Sequence, residues 1–194
     1  FERALDEGIA ALPDAPAPLR AFFEAVERVP GWLDRARLER GAQACRLCGY
    51  VSSQVLRDGA LMGGYQAAGL NRVLVLTGAL EKGAGKRLAE TSQWWLASTE
   101  PGGMARFAPG FKQALRVRLV HALVRRHVAA LPAWDAARDG VPISQMGMAA
   151  TQLAVSALFL IGVRSLGILL SGADGAAVMH LMRYSGWLMG IEED

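Results

Sequence analysis

The sequence predicts an all-α protein, one helical domain over residues 1–194. Three observations predict it. Apolar residues recur at intervals of three and four along nearly the whole chain, the period of a helix with one buried face. The segments so formed are separated by Pro and Gly clusters, at 13–18, 63–64, 101–103 and 140–142. The one run with strand composition, Val73-Leu74-Val75-Leu76, has no second run to pair with. Hydrophobic residues make up 52% of the 194 and charged residues 20%, which is material for a large core.

In order, residues 2–11 are amphipathic and end at the Pro-rich break from Pro13 to Pro18. A second helix is expected from Leu19 to Val29. Pro30 restarts the chain, and Trp32 to Arg40 reads as a third helix stopped by Gly41. A fourth covers about 42–61, before Gly63-Gly64. Tyr65 to Leu80 reads as helix or buried turn. A helix over 86–99 stops before Pro101-Gly102-Gly103, and a Gly-rich loop leads into a long helix from Phe111 to Leu131. Trp134 and Asp135 lie in a connection closed by Gly140 and Pro142, after which Ser144 is placed to cap the next helix. The apolar run Met148 to Leu170 is long enough to span a bilayer. Arg164, Gly162 and Gly167 interrupt it and Gly172 follows, so a buried central helix is preferred to a membrane span. The last helix covers about 174–189 and ends at Gly190.

Charge and cysteine content narrow the function classes. The net charge is +3, and the basic residues are mostly Arg, interspersed with acids along the chain. No basic stripe for nucleic acid is present. Cys45 and Cys48 form one isolated Cys-x-x-Cys with no second pair, which reads as neighbouring positions on a helix in a reduced protein rather than as a zinc site. The chain begins at Phe1 rather than Met, as a fragment lacking its flanks would. With no signal peptide visible, cytoplasmic placement is favoured and export stays open.

The Phe111–Leu131 helix carries the most chemistry. At about 100° per residue, Ala114, Val117, Val124 and Val128 lie within about 60° of His121, and Arg118 and Arg125 lie within about 60° on its other flank. An apolar stripe, an imidazole and two guanidinium groups on one face are what a haem needs: a slot for the ring, a ligand for the iron and cations for the propionates. A hydrogen-bonded core histidine is the plainer alternative. One helix earlier, Arg87 and Thr91 are four residues apart and share a face, with Trp94, Trp95 and Ser98 on the same side. That face suits the distal side of a cofactor pocket, and it also suits ordinary helix packing.

Taken together, these residues resemble the rubber oxygenase (latex clearing protein) and MpaB oxygenase family. The resemblance runs through Pro30-x-Trp32-x-Asp34 with Gly41, and Arg87-Leu88-x-x-Thr91 followed by Trp94-Trp95. It is strongest at Arg116-x-Arg118-x-x-His121-Ala122-x-x-Arg125. It continues through Trp134-Asp135, Gly140-x-Pro142-Ile143-x-Gln145-x-x-Met148-x-x-Thr151 and Trp187-x-x-Gly190-Ile191. The order of these pieces is specific, including the thirty residues from Thr91 to His121.

The resemblance implies a globin-like helical core around b-type haem, with His121 as the proximal iron ligand and Arg87 and Thr91 as the distal pair. It implies a dioxygenase-type oxidoreductase that uses O2 on a hydrophobic, unsaturated, isoprenoid-like small molecule or polymer, by cleavage of a carbon–carbon double bond. Arg118 or Arg125 would neutralise a propionate or support the helix, and a carboxylate or carbonyl, with Asp34 or Asp135 as candidates, would fix the tautomer of His121. Two positions depart from the family pattern. Rubber enzymes typically carry Lys directly before the distal Thr, where this chain has Glu90, a candidate acid or base. Their distal glutamate falls near Asn71 here. A non-catalytic haem- or hydrophobic-ligand-binding helical protein is the alternative of a different class. Contact with a membrane fits either reading; a membrane span does not.

Overall fold

A computed structural model describes residues 1–64, 68–78 and 84–192, and the described residues are helical with no strand. Eleven α-helices occur among them. They are α1 (Glu2–Glu7), α2 (Ala17–Glu27), α3 (Arg35–Leu47), α4 (Gly49–Gln54), α5 (Ala68–Leu76), α6 (Ala84–Thr99), α7 (Pro109–Ala129), α8 (Ala136–Asp139), α9 (Gln145–Ala154), α10 (Ala157–Ser165) and α11 (Gly172–Leu188). A 3-10 turn, Ile9–Ala11, follows α1, and a π-helix, Val55–Met62, continues α4.

The axis of the fold is α11 packed on α3. On α11, Ala177, Val178, Leu181, Met182 and Leu188 are buried, and Leu38, Ala42 and Cys45 face them from α3. Gly41 lies where the two backbones meet: a Cβ there would sit 2.2 Å from the carbonyl oxygen of Ala177. The expected helix stop at Gly41 is therefore corrected. The residue is a mid-helix contact point, and α3 runs six residues past it. The capping box at Ser171, whose hydroxyl exchanges hydrogen bonds with Asp174, starts α11. Asp34 starts α3 by accepting from the Arg37 N–H.

Other boundaries move for local reasons. The first helix ends at Gly8, whose φ of +89° no helix continues. Pro18 lies in the first turn of α2, where a missing N–H costs nothing, so α2 starts two residues earlier than expected. For the same reason α7 starts at Pro109. The Val73–Leu76 run is helical, within α5. Residues 65–67 and 79–80 of the ambiguous segment lie outside the described residues. Ser144 caps α9 as expected, accepting from the Gly147 N–H.

The apolar run after it is neither one helix nor buried. It breaks at Val155–Ser156 into α9 and α10, where the Ser156 hydroxyl donates to the Gln152 carbonyl and the backbone bends. Gln145–Ser165 has the length and hydropathy of a membrane span, yet only a third of its most apolar window is buried. Phe159 and Val163 of α10 point inward, Phe159 against Trp95 of α6. Leu153, Leu158 and Ile161 point out. The central buried helix is α11 instead.

Candidate functional site

Helices α6 and α7 form an antiparallel pair joined by the 100–108 connection, and the candidate site lies along their seam. Near the connection they touch: a Cβ on Gly110 would lie 2.7 Å from the Ala97 carbonyl and 2.8 Å from the Ser98 Cα. Eleven residues on along α7, about 16 Å at helical rise, stands His121. Eleven residues back along α6 from Ser98 stands Arg87. The two meet across the seam, close enough that the Arg87 charge acts on the imidazole.

His121 is half-buried, and its Nδ1 is fully buried without a hydrogen-bond partner. Burial lowers its pKa below the usual 6.5, and the charges of Arg125 and then Arg87 push in the same direction. The ring is thus held neutral at physiological pH, the form that ligates a metal. Arg87 presents a second orphan across the seam, a buried Nε without a partner. Thr91, one turn further along α6, is half-buried on the same face. Trp94 and Ser98 follow on that face, both buried, and the Trp94 Nε1 and Ser98 Oγ also lack partners.

The remaining expected site residues lie elsewhere or are already engaged. Glu90 is exposed and faces Lys86 at 3.8 Å, a surface pair one turn away. Arg125 donates to the Pro142 and Ile143 carbonyls at 3.1 and 2.7 Å, which ties the 140–144 connection to α7. Arg118 donates to the Leu188 carbonyl at 3.4 Å, packs on Gly190, and lies 5.3 Å over the Phe22 ring. Burial lowers its pKa.

Neither Asp34 nor Asp135 touches His121. Asp34 caps α3 while its N–H donates to His180 Nε2 at 3.1 Å, and Asp135 caps α8, accepting from the Ala137 N–H at 3.0 Å. A carboxylate partner for His121 is thereby corrected: both carboxylates serve helix termini, whose free N–H groups need them. His180 is spent as that acceptor, and His127 is exposed. Cys45 and Cys48 are buried and reduced, and burial pushes the Cys45 thiol up to about 12. No group of three or more His, Cys, Asp or Glu able to hold a metal occurs among the described residues.

The sequence reading missed Gly110. Its Pro109-Gly110 dipeptide reads as loop, yet it is the hinge of the seam, where the absent side chain lets two backbones touch. A glycine inside the first turn of a long helix was the available signal.

Comparison with known proteins bears on the family and the fold. The family model described as ER-bound oxygenase mpaB/B'/Rubber oxygenase, catalytic domain, matches residues 53–194. The rubber oxygenase of Streptomyces sp. (strain K30) is 29% identical over 196 residues, covering 95% of this chain and 46% of the relative. The structure of latex clearing protein LCP in its closed state superposes with a TM-score of 0.72 at 24% identity, covering 98% of this chain and 55% of that one. The chain thus spans about half the length of these relatives. With its match extending over most of its length, the chain belongs to the mpaB and rubber oxygenase catalytic-domain family.

Proposed function

We propose that the chain is the catalytic part of a haem b-dependent oxygenase that acts with O2 on a hydrophobic, unsaturated, isoprenoid-like substrate, by oxidative attack on a carbon–carbon double bond. The observation that carries this reading is the buried, unpartnered, neutral imidazole of His121 facing Arg87 across the α6–α7 seam. Buried polar atoms are nearly always partnered, so an orphaned imidazole nitrogen with an orphaned guanidinium nitrogen opposite points to a missing group between the helices. An imidazole that belongs to no group of three or more His, Cys, Asp or Glu able to hold a metal among the described residues suits a macrocycle that brings its own nitrogen donors.

In this reading His121 holds the iron, and the haem, once bound, supplies the oxygen chemistry. The residues of the chain do the rest. Arg87 supplies a fixed positive charge, and Thr91 a hydroxyl, toward oxygen on which negative charge develops. Arg125 anchors the 140–144 connection behind His121 and so keeps the ring in place, while its charge helps to keep the ring deprotonated. Arg118 braces α7 against the end of α11. Arg118 and Arg125, both engaged with main-chain carbonyls, hold the fold around α7 rather than a propionate. Glu90, directed to solvent, takes no part in proton transfer at the seam.

The test is spectroscopic, then kinetic. Purified protein supplied with haem should develop a Soret band that His121→Ala abolishes. A preparation that stays colourless sinks the haem reading. Oxygen uptake with an unsaturated isoprenoid then separates an oxygenase from a haem-binding protein without turnover. Arg87→Ala and Thr91→Ala should each slow uptake by about 10²-fold, as losing one preorganised donor does elsewhere, with the Soret band retained. Unchanged rates would remove both from the distal role.

A further inference from the structure

A cavity of about 180 Å³ lies between α2, α3, α11 and the 102–106 connection. It is remote from His121: Phe111 in its wall precedes His121 by ten residues on α7, about 15 Å along the axis. Val26, Leu38, Met104 and Phe111 make its sides apolar. One mostly buried polar side chain lines it, with its hydroxyl within reach of solvent. Tyr184 is 6% exposed, and its hydroxyl makes no hydrogen bond among the described residues. Burial raises the phenol's pKa, so it remains an O–H donor throughout the physiological range.

The charges around the cavity are unequally committed. Arg106 is saturated by Glu27 at 2.5 Å and by the Ala4 and Leu5 carbonyls at 3.1 Å each. Glu39 accepts from the Gly102 N–H at 2.9 Å and pairs with Arg46 at 3.6 Å. Arg35, at the mouth, forms neither an ion pair nor a hydrogen bond among the described residues, and its charge reaches Tyr184. What remains without a protein partner is one exposed guanidinium and one phenolic donor above apolar walls.

We propose that this cavity is a second ligand site, specific for a small monocarboxylate whose carboxylate pairs with Arg35 and accepts from Tyr184 while its apolar body lies against Met104 and Phe111. An apolar cavity of about 150 Å³ takes up benzene, so the volume fits one ring or a short aliphatic chain. The chemistry assigned to the α6–α7 seam uses none of these residues, so the site stands or falls separately from the haem reading.

Benzoate and benzyl alcohol, which share a ring and differ in charge, are the probes, titrated calorimetrically into the full chain. Benzoate should bind at least about 10-fold more tightly than benzyl alcohol. Tyr184→Phe, which keeps the ring and its packing, and Arg35→Gln, on the surface, should each weaken benzoate about 10-fold or more, the effect of losing one hydrogen bond to a charged group. His121→Ala should bind benzoate like the parent. No benzoate binding by the parent, equal binding of the two probes, unchanged affinity in both variants, or loss of binding in His121→Ala would overturn the proposal.

Discussion

The chain has one half-buried and one buried imidazole, His121 and His180, whose pKa values are lowered chiefly by burial, and their partners give them opposite uses. His121 has no partner on Nδ1 and is free to ligate. His180 accepts the Asp34 N–H at 3.1 Å, stands edge-on to Trp32, and so ties the start of α3 to the middle of α11. Arg37 and Arg183 also face it and oppose its protonation, while the Asp34 carboxylate favours it weakly. The linkage has a definite sign. In the unfolded chain the ring takes its proton near pH 6.5, and in the fold only below that value. The stabilisation is therefore complete above pH 6.5 and is lost as pH falls through the lowered folded value. Urea midpoints should decline between pH 7 and pH 5, above the range where carboxylates titrate. His180→Gln, which places an acceptor near the same point and cannot titrate, should make that decline shallower, leaving the part that the lowered His121 contributes. An equal slope in both proteins would show that His180 does not report on this contact. No local pattern in the sequence marks His180 for this contact, because the pairing spans 146 residues.

Elements were legible where a local rule decided them. The period of α6 and α7 marked both helices, and Ser144 marked the start of α9, because a cap is chemistry within three residues. Gly41 was misread for the converse reason. Glycine past an apolar run normally ends a helix, and only the position of Ala177 on α11 explains why this one continues. The misreading makes a sharp prediction. In Gly41→Ala the new Cβ meets main-chain atoms at 2.2 and 2.7 Å, and backbone cannot swing aside as a side chain would. The change should cost about 2 kcal/mol or more, lowering Tm by roughly 4–8 °C in a protein of this size. Gly31→Ala is the control: nothing lies within 4 Å of its Cβ and its φ is not positive, so Tm should hardly move. A mild Gly41→Ala would mean that α3 and α11 can separate locally, and the close crossing would not be what locks the core.

At the scale of the molecule, the candidate site was legible because α6 and α7 follow one another and their spacing carries the pairing of Arg87 with His121. The engagement of Arg118 and Arg125 was not, since the carbonyls of Leu188, Pro142 and Ile143 reach them only through the tertiary fold. The apolar run Met148 to Leu170 was misjudged on the same ground: composition fixes how apolar a segment is, and the rest of the fold decides which side it buries. The segment 140–173 that holds it contains one charged residue, Arg164. It leaves Met146 82%, Leu153 53% and Ile161 59% exposed, while Phe159 between them is fully buried. The two faces should respond oppositely to substitution. Changing Met146, Leu153 and Ile161 together to Gln should alter stability by no more than about 1.5 kcal/mol, three surface changes of about 0.5 each. It should also reduce concentration-dependent light scattering, because a contiguous apolar surface drives association. Phe159→Ala alone should cost about 3–5 kcal/mol, since it empties the space against Trp95 that joins α10 to α6. If the triple variant lost as much stability as Phe159→Ala, the outward face would be bearing internal contacts, and the arrangement of α9 and α10 on this core would have to be redrawn.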